Sequence, residues 1–84
     1  PPKEPFDPYK EIPEDSHRSA LNTAFEDGNI SGYNGYLERL KESYGRLGIK
    51  LGYNKTVKLA KFLCNKRMVV KEGKEYKYNR DSHY

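Results

Sequence analysis

All five prolines of this 84-residue chain, Pro1, Pro2, Pro5, Pro8 and Pro13, fall within its first 14 positions. Proline fixes φ and has no backbone N–H to give to a helix or a sheet. Residues 1–14 are therefore predicted as an extended arm, with a folded domain over residues 15–80 and a polar tail over 81–84. Phe6, Tyr9 and Ile12 recur every third residue. In a polyproline-II-like arm that spacing puts them on one side, facing along the domain. The competing reading of the same stretch is a disordered linker.

A chain of this length makes one small domain with a thin core, burying only about two thirds of the surface its unfolded form exposes. Hydrophobic residues make up 35% and charged residues 33%, against roughly 45–50% (Gly counted) and ~25% in typical globular chains. Little volume is left for an enclosed catalytic pocket. Cys64 is the only cysteine, which excludes an intrachain disulfide and any multi-cysteine zinc site. No H-x-x-x-H, C-x-x-C or phosphate-loop pattern occurs, and His17 and His83 stand near opposite ends with no nucleophile pattern beside them. The expectation is a non-enzyme with no catalytic residue, metal site or cofactor. His17, just after Ser16 at a helix start, is expected on the surface.

No apolar run approaches the ~18–20 residues of a membrane span, and the N-terminus lacks the plan of a signal peptide. An intracellular, reducing location with no membrane partner is expected; nucleus and cytoplasm are not distinguished. The first residue is Pro rather than Met, which points to a fragment or processed product. The triplets Asn29-Ile30-Ser31 and Asn54-Lys55-Thr56 match the glycosylation pattern by chance in a chain with no sign of export.

Hydropathy patterning places three helices. The first opens at Asp15 or Ser16, carries Ala20, Leu21, Ala24 and Phe25 on one stripe, and stops at Gly28. The connector Asn29-Ile30-Ser31-Gly32 follows. The second runs from Tyr33 to Leu47, with Tyr33, Tyr36, Leu37, Leu40, Tyr44 and Leu47 as its apolar stripe and Gly48 closing it. Ile49 to Tyr53 alternates apolar and non-apolar residues and reads as a short strand or an extended connection. The third helix runs from about Lys55 to Arg67, capped by Asn54. Its apolar face holds Val57, Ala60, Leu63, Cys64 and Met68, with Leu59 at the edge. Opposite lies a narrow stripe of Asn54, Lys58, Lys61 and Asn65 at i, i+4, i+7 and i+11. Phe62 falls between this stripe and Lys55/Lys66 and reads as the edge of a core.

The last elements are two strands. Val69 and Val70 are β-branched, Tyr76 and Tyr78 alternate onto one face, and Glu72-Gly73 between them is a turn signal. Charge is divided along the chain. Residues 1–40 carry four basic and eight acidic residues, and residues 41–84 carry twelve and four. An acidic half followed by a basic half suggests a polyanion partner for the second.

The order of helix, helix, connection, basic helix and basic hairpin resembles the winged helix-turn-helix superfamily over residues 16–80. Leu47-Gly48-Ile49 ahead of Thr56-Val57 is similar to the passage between its scaffold and recognition helices. Leu63 to Val70, followed by Gly73 and Tyr76, is similar to its exit from recognition helix into strand, wing and returning strand. One departure is the turn between helices two and three, about six residues where three or four are usual. The implied architecture is mostly α with a small β-hairpin, a three-helix winged-helix-like domain.

That layout implies DNA binding. An α-helix fits the major groove, lysine donates to guanine O6 and N7, and asparagine pairs with adenine. The candidate nucleic-acid-binding residues are Asn54, Lys55, Lys58, Lys61, Asn65, Lys66 and Arg67 on the helix and Lys71, Lys74 and Lys77 on the hairpin. Duplex DNA is the expected partner, in a regulatory or DNA-processing protein. RNA is an alternative, because eight tyrosines offer stacking surfaces. A protein partner engaged through the arm or the second helix is the other. Two G-x-x-G strings, Gly32 to Gly35 and Gly45 to Gly48, are explained by turn chemistry.

Overall fold

The computed structural model describes residues 5–81. Pro1, Pro2, His83 and the rest of the polar tail beyond Asp81 lie outside the described residues. The elements run α1 (Pro8–Glu11), α2 (Glu14–Ala24), β1 (Ile30–Ser31), α3 (Tyr33–Gly45), α4 (Tyr53–Asn65), β2 (Val69–Glu72) and β3 (Glu75–Tyr78). About half of the described residues are helical. The three helices expected from the pattern are α2, α3 and α4.

The arm departs from expectation. Where the prolines predict an extended chain, residues 8–11 close one helical turn. Pro8 sits at its first position, where a missing N–H leaves nothing unpaired and φ is already helical. Asp7 caps the turn, its Oδ1 accepting from the Tyr9 N–H at 3.0 Å. Pro13 then occupies the N-cap of α2, so the helix begins at Glu14, one residue ahead of Asp15, and Glu14 and Asp15 fill the first turn, where carboxylates suit the helix dipole.

The core gathers Ala20, Leu21 and Ala24 from α2, Phe25 at its C-cap, and Tyr36, Leu37, Leu40 and Tyr44 from α3, as the periodicity predicts. Leu47 is a correction: it is 43% exposed. Helix α3 ends at Gly45, so Leu47 lies past its C-cap Arg46 and outside the helical repeat, and Gly48, at φ +83°, turns the chain directly after it. Tyr33, at the first position of α3, is exposed as well. Ile49 to Gly52 forms no strand; Leu51 is buried and Ile49 half-buried within the connection.

Helix α4 starts two residues early, with Gly52 at its N-cap, so Asn54 lies in the first turn and is not the cap. Its buried face is Thr56, Leu59, Ala60 and Leu63, while Val57 and Cys64 are only half-buried. The core direction is thus rotated towards Leu59. Thr56 is buried at no polar cost because its Oγ1 donates to the Gly52 carbonyl at 2.8 Å.

His17 is a second correction. It is fully buried rather than on the surface. Its Nε2 meets the Pro8 carbonyl at 3.1 Å and its Nδ1 the Tyr44 hydroxyl at 2.7 Å. The Phe62 ring lies against it, centroids 5.5 Å apart, so Phe62 is the core edge that its position predicts.

The expected hairpin is present, and β1 extends it to a three-stranded antiparallel sheet of order β1-β3-β2. The segment read as a connector supplies that third strand, Ile30 pairing with Tyr76 and Ser31 with Glu75. Val69 pairs with Tyr78 and Lys71 with Tyr76 across the hairpin. These four side chains share the face turned to the helices, and Tyr36 stacks on Tyr76 at 4.2 Å.

Candidate nucleic-acid interface

Helix α4 presents four sides, and its 3.6-residue turn decides which side chain falls on each. Thr56, Leu59, Ala60 and Leu63 face the core. Asn54, Lys58, Lys61 and Asn65 stand on the opposite side and are all exposed. Between these sides lie two flanks, one facing the arm and the other facing the sheet and the start of α3.

The arm-side flank holds Lys55, Phe62 and Lys66. The Lys55 ammonium sits 5.4 Å from the centroid of the Phe6 ring, and that of Lys66 5.4 Å from the Tyr9 ring. Both are within cation–π reach. These two lysines therefore lie apart from the Lys58/Lys61 stripe. The other flank holds Tyr53, Val57 and Cys64. Burial pushes the Cys64 thiol pKa up, against the Tyr36 hydroxyl 4.0 Å away and the charge of Lys71. Tyr36 donates to the Ala60 carbonyl at 3.2 Å, and burial holds its own pKa above the ordinary tyrosine range. Tyr53, the first residue of the helix, is 71% exposed.

The remaining candidates divide by position. Arg67 leaves α4 at φ +60°, exposed, with its carbonyl accepting from Asn79 Nδ2 at 2.9 Å. Lys71 lies on the helix-facing side of the sheet, 5.9 Å from the Tyr76 ring centroid. Lys74 stands at the hairpin tip, where its carbonyl accepts from the Gly32 N–H at 2.7 Å. Lys77 pairs with Val70 on the opposite face of the sheet, so the hairpin lysines do not act from one side. The strand period of two separates them.

Lys58 and Lys61 form no ion pair with any carboxylate among the described residues. Beside them an open groove of about 830 Å³ separates α4 from the arm, with Asp7, Lys10 and Glu11 on the arm wall and Lys58, Lys61 and Asn65 on the helix wall. The sequence pattern located the stripe, and the three-residue spacing of Phe6, Tyr9 and Ile12 put the arm along the domain; that the arm forms a wall beside this stripe was missed, because nothing in residues 5–12 says which surface they meet.

Among the described residues, no helix is long and apolar enough to cross a membrane. No protein-family model, curated protein or solved structure matches the chain.

Proposed function

We propose that the chain is a DNA-binding domain of winged helix-turn-helix type, part of a regulatory or DNA-processing protein, which acts by binding rather than catalysis. Helix α4 enters the major groove of duplex DNA, and the β2–β3 hairpin lies along the backbone as the wing. One observation carries this reading. Asn54, Lys58, Lys61 and Asn65 are exposed together on one side of a helix whose other side is core, and the two lysines have no carboxylate partner among the described residues. A surface of that kind offers donors to base edges and uncompensated charge to phosphates.

The element order supports the same reading: α2, α3 and the basic helix α4 precede the hairpin, and the first strand pins that hairpin to the core. The connection from Arg46 to Gly52 stays longer than the usual turn. Leu51 within it is buried in the core.

The test separates reading bases from touching phosphates. Lys58→Ala and Lys61→Ala are expected to weaken a preferred duplex site more than random DNA, by about 1–3 kcal/mol per base-contacting side chain. Lys74→Ala is expected to weaken both equally and to lower the salt slope by about one unit. The measurement is a competition titration against specific and random duplexes. No loss in any folded variant would sink the DNA reading and favour a protein partner; selective binding of RNA would replace DNA with RNA.

A further inference from the structure

We propose that residues 5–12 form a displaceable strap that occupies the arm-side edge of the α4 stripe and competes with a polyanion for it. The inference rests on the DNA reading and names how that same site is regulated.

The strap is anchored at its C-terminal end by Ile12, which is 2% exposed. Along its length, contacts to α4 and α2 hold it, two of them cation–π contacts at the surface and one a buried hydrogen bond. Phe6 lies under the Lys55 ammonium, Tyr9 under that of Lys66, and the Pro8 carbonyl accepts from His17 Nε2–H. Its apolar burial is concentrated at Pro8 and the Ile12 anchor; ahead of them Phe6 is half-buried, and Tyr9 between them is 57% exposed. Among the described elements α1 is therefore among the easiest to lift, because local opening follows from sparse apolar contact.

The strap also carries charge to the site. Asp7 and Glu11 line the groove opposite Lys58 and Lys61. They are locked in place by the strap's own backbone: the Asp7 N–H donates to Glu11 Oε2 at 2.8 Å, and the Tyr9 N–H to Asp7 Oδ1 at 3.0 Å. Lys10 on the same wall offsets one of these two charges, leaving a net negative wall beside a positive stripe. A duplex laid along α4 meets that wall with its phosphates. Lifting the strap removes the two carboxylates and takes the Phe6 and Tyr9 rings away from Lys55 and Lys66, so that the ammonium groups on that flank can turn towards phosphates.

Two double variants of the full chain test this by titration with duplex DNA at low salt. Asp7→Asn with Glu11→Gln keeps both hydrogen-bond acceptors and removes only the charges. Phe6→Ala with Tyr9→Ala loosens the strap. Each is expected to tighten binding about threefold to tenfold at low salt, with the charge-only gain shrinking as salt screens it. Circular dichroism checks folding; if the loosened variant unfolds, the charge-only variant decides alone. Binding that is unchanged or weaker in either folded variant, with wild-type binding intact, overturns the strap and leaves the DNA reading standing. No duplex binding by wild type or variants overturns both. Binding by the variants where wild type shows none supports the strap in its strongest form.

Discussion

The His17 imidazole touches four elements: it belongs to α2, meets Pro8 of α1 and Tyr44 of α3 by hydrogen bonds, and packs on Phe62 of α4. A carbonyl only accepts, so Nε2 carries the proton and Nδ1 accepts from the Tyr44 hydroxyl. Both bonds are made by the neutral ring. Burial pushes its pKa below the ordinary 6.5, against the opposing pull of the Pro8 carbonyl and the Glu14 charge. The unfolded chain takes up a proton below about 6.5, at pH values where the folded chain still resists it. The stabilising contribution is therefore complete above that pH and is lost as pH falls from 6.5 through the lowered folded value. Urea midpoints are expected to drop between pH 7.5 and pH 5.5, and the drop is expected to be smaller in His17→Gln. A variant with an undiminished drop would show that another group is responsible.

At the scale of the element, the hairpin depends on one backbone conformation. Val69 pairs with Tyr78 and Glu72 with Glu75, leaving Gly73 and Lys74 as the two turn residues. Gly73 has φ +64°, and Lys74 does not share a positive φ. This is the arrangement of a type II′ turn, whose first central position favours glycine and whose twist matches the flanking strands. A Cβ at Gly73 would meet no atom within 4 Å, so the penalty for Gly73→Ala is conformational alone, about 1–2 kcal/mol. Denaturant unfolding should show a lower midpoint with an unchanged slope. An unchanged midpoint would mean that the turn has another conformation. The same substitution moves Lys74, so a wing that contacts DNA is expected to lose affinity with it.

For the whole molecule, charge is the property that the fold rearranges most. The basic C-terminal half becomes α4 and the hairpin, and the acidic N-terminal half becomes the arm, α2, β1 and most of α3. The fold then sorts the lysines by face. Lys58 and Lys61 stand on the exposed side of α4 and Lys74 at the hairpin tip, Lys77 faces the other side of the sheet from Lys71, and Lys55, Lys66 and Lys71 each lie over an aromatic ring. On the proposed reading, Lys58, Lys61 and Lys74, with Lys71 at the sheet edge, are the ones that meet phosphates. Neutralising about three to four phosphates gives a slope of log K against log[salt] of roughly −3 to −4. The slope is measured by titration of duplex DNA at several salt concentrations. A flat dependence would exclude a polyanion partner.

Periodicity alone placed the parts whose information is local. The stripe from Tyr36 to Tyr44, the Asn54/Lys58/Lys61/Asn65 row and the inward alternation of Tyr76 and Tyr78 follow from the helix and strand repeats and are readable within a dozen residues. Cap positions were less legible, since Gly52 and Pro13 displaced the expected Asn54 and Ser16/Asp15 starts by two or three residues. Three features depended on partners distant in sequence. Ile30 and Ser31 become a strand only because Tyr76 and Glu75 lie beside them. His17 is buried only because Pro8, Tyr44 and Phe62 close over it. The arm lies on α4 because Ile12 enters the core, the Pro8 carbonyl meets His17, and Phe6 and Tyr9 find Lys55 and Lys66 there. A two-residue strand has no period, and neither an imidazole nor an aromatic ring in an arm carries any mark of what will cover it. Those outcomes are set by packing between elements, which no window along the chain contains.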